Sequence, residues 1–238
     1  MICYIIAMAK EAEPVIKCMK AVTDKTECGK RVVTGKLFSK EAAVVVCGVG
    51  KVNAAAGTQY AIDKLGADVI VNIGVAGGLN GSVRIAEIYG IDAAVQYDFD
   101  LTQLNGTPLG TLDECKTNYL PLSVAAGFSL KKLATGDRFK DSREDYETLT
   151  RVLGADVRDM EGGAIAQVCM HAGVKCYAFK IISDLAGSGS TTEQYLNNLT
   201  LCFGTLEKNL EKYKIKPILS VDEINEFRNK RLIIETKL

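Results

Sequence analysis

Residues 68–74, Asp-Val-Ile-Val-Asn-Ile-Gly, decide the fold. Four β-branched residues stand almost consecutively between an acid and a glycine. A half-exposed strand would alternate apolar with polar side chains. A continuous run marks a strand covered on both faces, at the centre of a helix-flanked sheet. Residues 174–183, Val-Lys-Cys-Tyr-Ala-Phe-Lys-Ile-Ile-Ser, form a second run of this kind.

Working outward, strand-like and helix-like stretches alternate. Met1–Ala7 reads as a short buried strand, followed by an amphipathic helix over 11–19. Arg31–Leu37 and Ala42–Cys47, parted by the polar turn Phe38-Ser39-Lys40-Glu41, read as a hairpin. The Ala-rich stretch from Lys51 reads as a helix closed by Gly66. Strands are expected over 87–96, 128–135 and 156–160, with an irregular stretch over 97–127. Helices are expected over 141–153, capped by Asp141 or Ser142, over 162–172, and over 191–213. The last is opened by the capping box Ser190-Thr191-Thr192-Glu193. The pattern predicts an α/β single domain, a mixed central β-sheet flanked by helices, spanning 1–213. Residues 214–238 are expected to be an appendage to it. In such sheets ligands gather at the carboxyl ends of strands.

Composition narrows the function. With 47% hydrophobic residues in 238, the chain can bury one large core. Lys plus Arg and Asp plus Glu both number 29, so no net positive charge favours nucleic acid or a membrane surface. No run approaches the ~20 apolar residues of a membrane span. One histidine, His171, excludes a multi-histidine metal centre. Eight cysteines show no Cys-x-x-Cys pair, so they read as scattered core thiols of a reducing, cytoplasmic compartment. The N-terminal run lacks a basic leader and reads as a strand rather than a signal peptide.

Four segments fall at expected strand ends. Glu11 follows the first strand, where an acid also suits the dipole of a helix's first turn. Gly48-Val49-Gly50-Lys51 precedes a helix; its glycines permit close approach to a ligand or simply a tight turn. Gly74-Val75-Ala76-Gly77-Gly78 follows the central strand. Asp159-Met160-Glu161-Gly162-Gly163 and Ser183-Asp184 end two further strands. Carboxylates at neighbouring strand ends can be driven to different pKa values, giving one acid and one base. Asp184 as a helix cap is the plainer alternative.

The order and spacing of Glu11, Gly-Val-Gly-Lys-Val-Asn-Ala-Ala (48–55), Asn-Ile-Gly-Val-Ala-Gly-Gly-Leu (72–79), Asp-Met-Glu-Gly-Gly-Ala-Ile-Ala (159–166) and Ile-Ser-Asp (182–184) resemble the nucleoside phosphorylase and nucleosidase superfamily. Within it the chain looks most like the 5′-methylthioadenosine/S-adenosylhomocysteine nucleosidases, over residues 1–213. The resemblance implies a nucleoside phosphorylase-like fold and a homodimer. It implies a small-molecule adenine nucleoside as substrate, cleaved with water, and neither cofactor nor metal. By motif, Asp184 would be the general acid at adenine N7 and Glu11 would deprotonate the attacking water. Glu161, after Met160, would hold the ribose hydroxyls. In Gly136-Asp137-Arg138-Phe139-Lys140, Phe139 would stack on adenine and the Lys140 backbone would meet its Watson–Crick edge. Val49, Val75, Ser183 and Lys180 complete the expected substrate-binding set.

The chemistry explains the demand for these groups. Adenine leaves poorly as an anion, so a proton must reach N7, and Asp184 would have to be protonated near neutral pH. The sugar left behind resembles an oxocarbenium ion, which an anionic pocket stabilises. Some positions depart from the usual pattern. Lys180 stands where many relatives carry Arg, losing a bidentate fork. Val75 stands where Ser is common, and Leu104 where relatives offer an aromatic across the dimer interface. A helix usual in relatives is expected to shrink to 120–126 or vanish. Three rivals stay open: a purine nucleoside phosphorylase, which Glu11 opposes by repelling phosphate; a futalosine-type nucleosidase; and a non-catalytic nucleoside sensor.

Overall fold

The computed structural model describes residues 1–140 and 142–211. Strands β1 (Ile2–Ile6), β4 (Lys40–Val46), β5 (Val69–Gly78) and β10 (Lys175–Leu185) run parallel as β4-β1-β5-β10. β3 (Lys30–Leu37) and β2 (Met19–Glu27) extend the β4 edge as an antiparallel meander. Beyond β10 lie β6 (Ile88–Gln96), antiparallel to it, then β8 (Leu130–Thr135) and β9 (Val157–Asp159). β9 pairs back onto the end of β5 at Gly77 and Gly78, so β5, β10, β6, β8 and β9 close a ring. The two-residue strand β7 (Leu120–Pro121) hangs on β6. The sheet is mixed, as expected; its closure into a ring was not legible in the strand pattern.

Side-chain alternation explains the double cover. Tyr4, Ile6, Val71 and Ile73 point to one face and pack under α1 (Ala9–Lys17) and α6 (Thr191–Glu211). Cys3, Ile5, Val45 and Ile70 point to the other, under α2 (Lys51–Leu65) and α5 (Gly162–Ala172). A third cluster, with Ile91, Leu133, Val157 and Ile182, fills the ring.

Several elements differ from the sequence reading. α1 stops at Lys17 and Met19 opens β2, a strand whose residues 20–26 are all exposed. The helix expected over 141–153 is a short α4 (Arg143–Glu147) that continues as a π-helical turn, Thr148–Val152. Ser142 caps it, its hydroxyl accepting from the Asp145 N–H at 3.2 Å; Asp141 lies outside the described residues. The 97–127 stretch holds one turn of helix, α3 (Thr102–Asn105), and no helix over 120–126. Ser190 accepts from the Glu193 N–H at the start of α6. Asp184 lies within β10 rather than at the start of a helix. The end of the last helix at 212–213 and the 214–238 appendage lie outside the described residues. No described helix is long and apolar enough to cross a membrane.

Candidate active site

The carboxyl ends of β1, β5, β9 and β10 surround one cavity of about 350 Å³. Glu11, in the first turn of α1, is buried at its rim. Its Oε1 accepts from the Val75 N–H at 2.9 Å and its Oε2 from the Met8 N–H at 3.1 Å. Burial raises its pKa above the ordinary glutamate value, against the pull of those N–H groups and of Lys180.

Glu161 faces it from the loop between β9 and α5. Its Oε1 accepts from the Gly50 N–H at 2.9 Å. Gly50 adopts φ 97°, a conformation that suits only glycine, and so aims its N–H inward at the start of α2. The next N–H, of Lys51, holds Asp137 Oδ1 at 2.8 Å, and Lys51 Nζ pairs with Asp98 at 2.5 Å. The Gly-Val-Gly-Lys turn is therefore an anchor for carboxylates at a helix N-terminus. Burial, then Asp159, push Glu161 up to about 7, opposed by Lys180 and the Gly50 N–H.

Asp184 is buried at the end of β10, its Oδ2 accepting from the Ser183 hydroxyl at 2.8 Å. Behind the wall, Lys180 is 1% exposed, with Nζ 2.7 Å from Asp159 Oδ2. Asp159 also accepts from the Thr135 hydroxyl at 2.5 Å and from the Gly162 N–H at 2.8 Å. Burial pulls the Lys180 ammonium down, but Asp159, Glu161 and Glu11 together hold it above the ordinary lysine value. Lys180 and Asp159 thus tie β10, β9, β8 and α5 into one strut beneath the carboxylates. Lys180→Met would leave the buried Asp159 without its ammonium partner. The unfolding free energy is expected to fall by about 3–5 kcal/mol, with Lys180→Arg intermediate, as read by urea denaturation. An unchanged midpoint for Lys180→Met would refute the strut.

Phe139 and Tyr195 meet edge-on across the cavity mouth, ring centroids 5.4 Å apart. Of the residues expected from sequence, Glu11, Val49, Val75, Phe139, Met160, Glu161, Ser183 and Asp184 line the cavity. Lys180 and Lys140 do not. Lys180 is the buried strut. The Lys140 side chain lies 3.8 Å from Asp145 and its carbonyl accepts from Arg158. Val75 and Asp184 sit within their strands rather than after them, because ring closure prolongs β5 and β10. The sequence reading passed over Asp159, Arg158 and Tyr195. Asp159 stood in a quoted motif, but only its distant partner Lys180 reveals its place. Leu104, on α3, is 80% exposed. Among the described residues no group of three or more His, Cys, Asp or Glu is placed to hold a metal ion.

The sheet closed at the pocket end, with acids on three strand ends, defines an α/β site for a small polar ligand. The model of the phosphorylase superfamily matches residues 1–215, and the chain belongs to that family. An aminodeoxyfutalosine nucleosidase from Campylobacter jejuni is 30% identical over 76% of this chain and 84% of its own length. A 5′-methylthioadenosine/S-adenosylhomocysteine nucleosidase from Geobacillus thermodenitrificans is 31% identical over 80% of this chain and 87% of its own. The crystal structure of the Helicobacter pylori enzyme of that second name superposes with a TM-score of 0.80 at 26% identity, covering 89% of this chain and 96% of that one. The relatives are nucleosidases, and this chain is an enzyme that hydrolyses N-glycosidic bonds.

Proposed function

We propose that the chain hydrolyses 5′-methylthioadenosine and S-adenosylhomocysteine, releasing adenine and the 5-substituted ribose. The observation that carries this reading is the convergence of Glu11, Glu161 and Asp184 on one cavity roofed by Phe139 and Tyr195. Asp184 is the acid at N7, delivering a proton as the bond to N9 breaks. Glu161 holds the ribose hydroxyls and fixes the sugar. Glu11, held by two backbone N–H groups, takes the proton of the water that attacks C1′. The anionic pocket supports the cationic sugar as it forms. The relatives' names support the substrate class, as does a further Helicobacter pylori structure, of a variant enzyme, 26% identical, with 5′-methylthioadenosine in its active site.

Glu11 also weighs against phosphate as the acceptor, since its carboxylate would repel an anion at the attack position. The likeness to the aminodeoxyfutalosine nucleosidase favours a second reading, in which the 5′ substituent is larger and the reaction is the same. Adenine release from 5′-methylthioadenosine and S-adenosylhomocysteine, with and without phosphate, tests the proposal. Phosphate-independent release with free sugar supports it. Release only with phosphate overturns Glu11 as the water base. Ligand-induced heat stability without turnover would identify a sensor instead.

A further inference from the structure

Arg158 stands on the wall of the same cavity, and the reaction above gives it no task. It lies in β9, paired across the ring closure with Gly77. A Cβ at residue 77 would fall 2.8 Å from Asp184 Oδ1 and 3.2 Å from Arg158 Nε. Glycine there leaves room for a carboxyl and a guanidinium to flank one small space. From that place Arg158 Nη1 donates to the Lys140 carbonyl at 3.0 Å. One guanidinium therefore bridges from the side of Asp184 to the loop that carries Phe139.

A purine presents N7 and the substituent on C6 along the same edge. A base whose N7 meets Asp184 turns its C6 group along the wall that Arg158 occupies. A 6-amino group is a donor and needs an acceptor. The Lys140 carbonyl on that wall already receives the guanidinium. A 6-oxo group is an acceptor, and a guanidinium carries five N–H donors and no acceptor. We propose that Arg158 is a specificity-determining residue that admits nucleosides of 6-oxopurines, the hypoxanthine type, to this site. The inference rests on the hydrolase reading and on Asp184 at N7.

The chemistry agrees with the geometry. As the bond from N9 to C1′ breaks, its electron pair passes into the base, while water oxygen bonds to C1′ and yields its proton to Glu11. In an oxopurine that charge reaches O6, where a fixed guanidinium stabilises it by a charge-assisted hydrogen bond. Asp184 then supplies the proton that neutralises the departing base. In adenine the exocyclic nitrogen cannot accept from Arg158. An amino base would share the Lys140 carbonyl with the guanidinium, its N–H groups crowded against those of the cation.

The test compares kcat/KM for 5′-methylthioinosine and 5′-methylthioadenosine. The wild-type protein is expected to cleave both. In Arg158→Met the oxo-to-amino ratio is expected to fall roughly 10- to 100-fold, the scale of one charge-assisted hydrogen bond. Arg158→Lys keeps the charge and loses the fork, so its ratio lies between, and it carries the test alone if the methionine variant does not fold. Product inhibition by hypoxanthine should weaken in the same order, relative to adenine. A ratio that does not move, or a wild-type protein blind to the oxo nucleoside, overturns the role of Arg158 and leaves the hydrolase standing. A wild-type protein that cleaves neither nucleoside overturns both.

Discussion

Asp184→Asn is expected to keep the fold and lower the hydrolysis of 5′-methylthioadenosine by about 10²–10⁴-fold, the scale of one general acid. The change is nearly isosteric, and the side chain is only 2% exposed, so shape decides little. The amide oxygen can still accept from the Ser183 hydroxyl, which now meets Oδ2 at 2.8 Å. What is lost is a proton that can be transferred, since an amide N–H can only be shared. Binding of an unreactive adenine nucleoside analogue should survive within a few-fold, and a thermal melt should move by only a few degrees. Near-normal turnover in this variant would remove Asp184 from the role of acid. Collapse of binding together with turnover would make it a positioning group instead.

How far the sequence carried this reading depends on where the information lay. The central strands were legible because residues 69–73 and 176–182 are apolar apart from Asn72 and Lys180. α5 was legible at both ends, since two glycines open it and Gly173 closes it in the left-handed conformation. β2 was not, because residues 20–26 are all exposed and an exposed edge strand has no burial pattern to read. The three acids were found because each falls at a strand end in a quoted motif. Asp159 and Arg158 were missed for another reason. β9 is three residues long, too short to show a period, and the meaning of its side chains lies in Lys180, Gly77 and Lys140 across the fold. Contacts made by ring closure leave no trace in local spacing. Lys180 itself was read as a substrate contact from the resemblance, standing where many relatives carry Arg; its burial against Asp159 sets it behind the wall instead.

Glu11→Gln is expected to lower turnover by a further ~10²–10⁴-fold in its own right, as a lost general base. The variant separates two jobs done by one carboxylate. Both oxygens of Glu11 now accept backbone N–H groups, from Val75 at 2.9 Å and from Met8 at 3.1 Å. Glutamine offers one acceptor and one donor, so one of those N–H groups must face an amide NH₂. Leaving a buried donor unmet costs about 1–3 kcal/mol, and the melting temperature should fall accordingly. That penalty alone would not touch the pH dependence. Loss of the base would. Burial holds the Glu11 pKa above the ordinary glutamate range, so activity that needs its ionised form rises with pH through that raised value. In Glu11→Gln the rising limb should disappear while a transition-state-like inhibitor still binds. A variant that keeps the limb, or that gains phosphate-dependent cleavage, would show that the proton of the attacking water goes elsewhere.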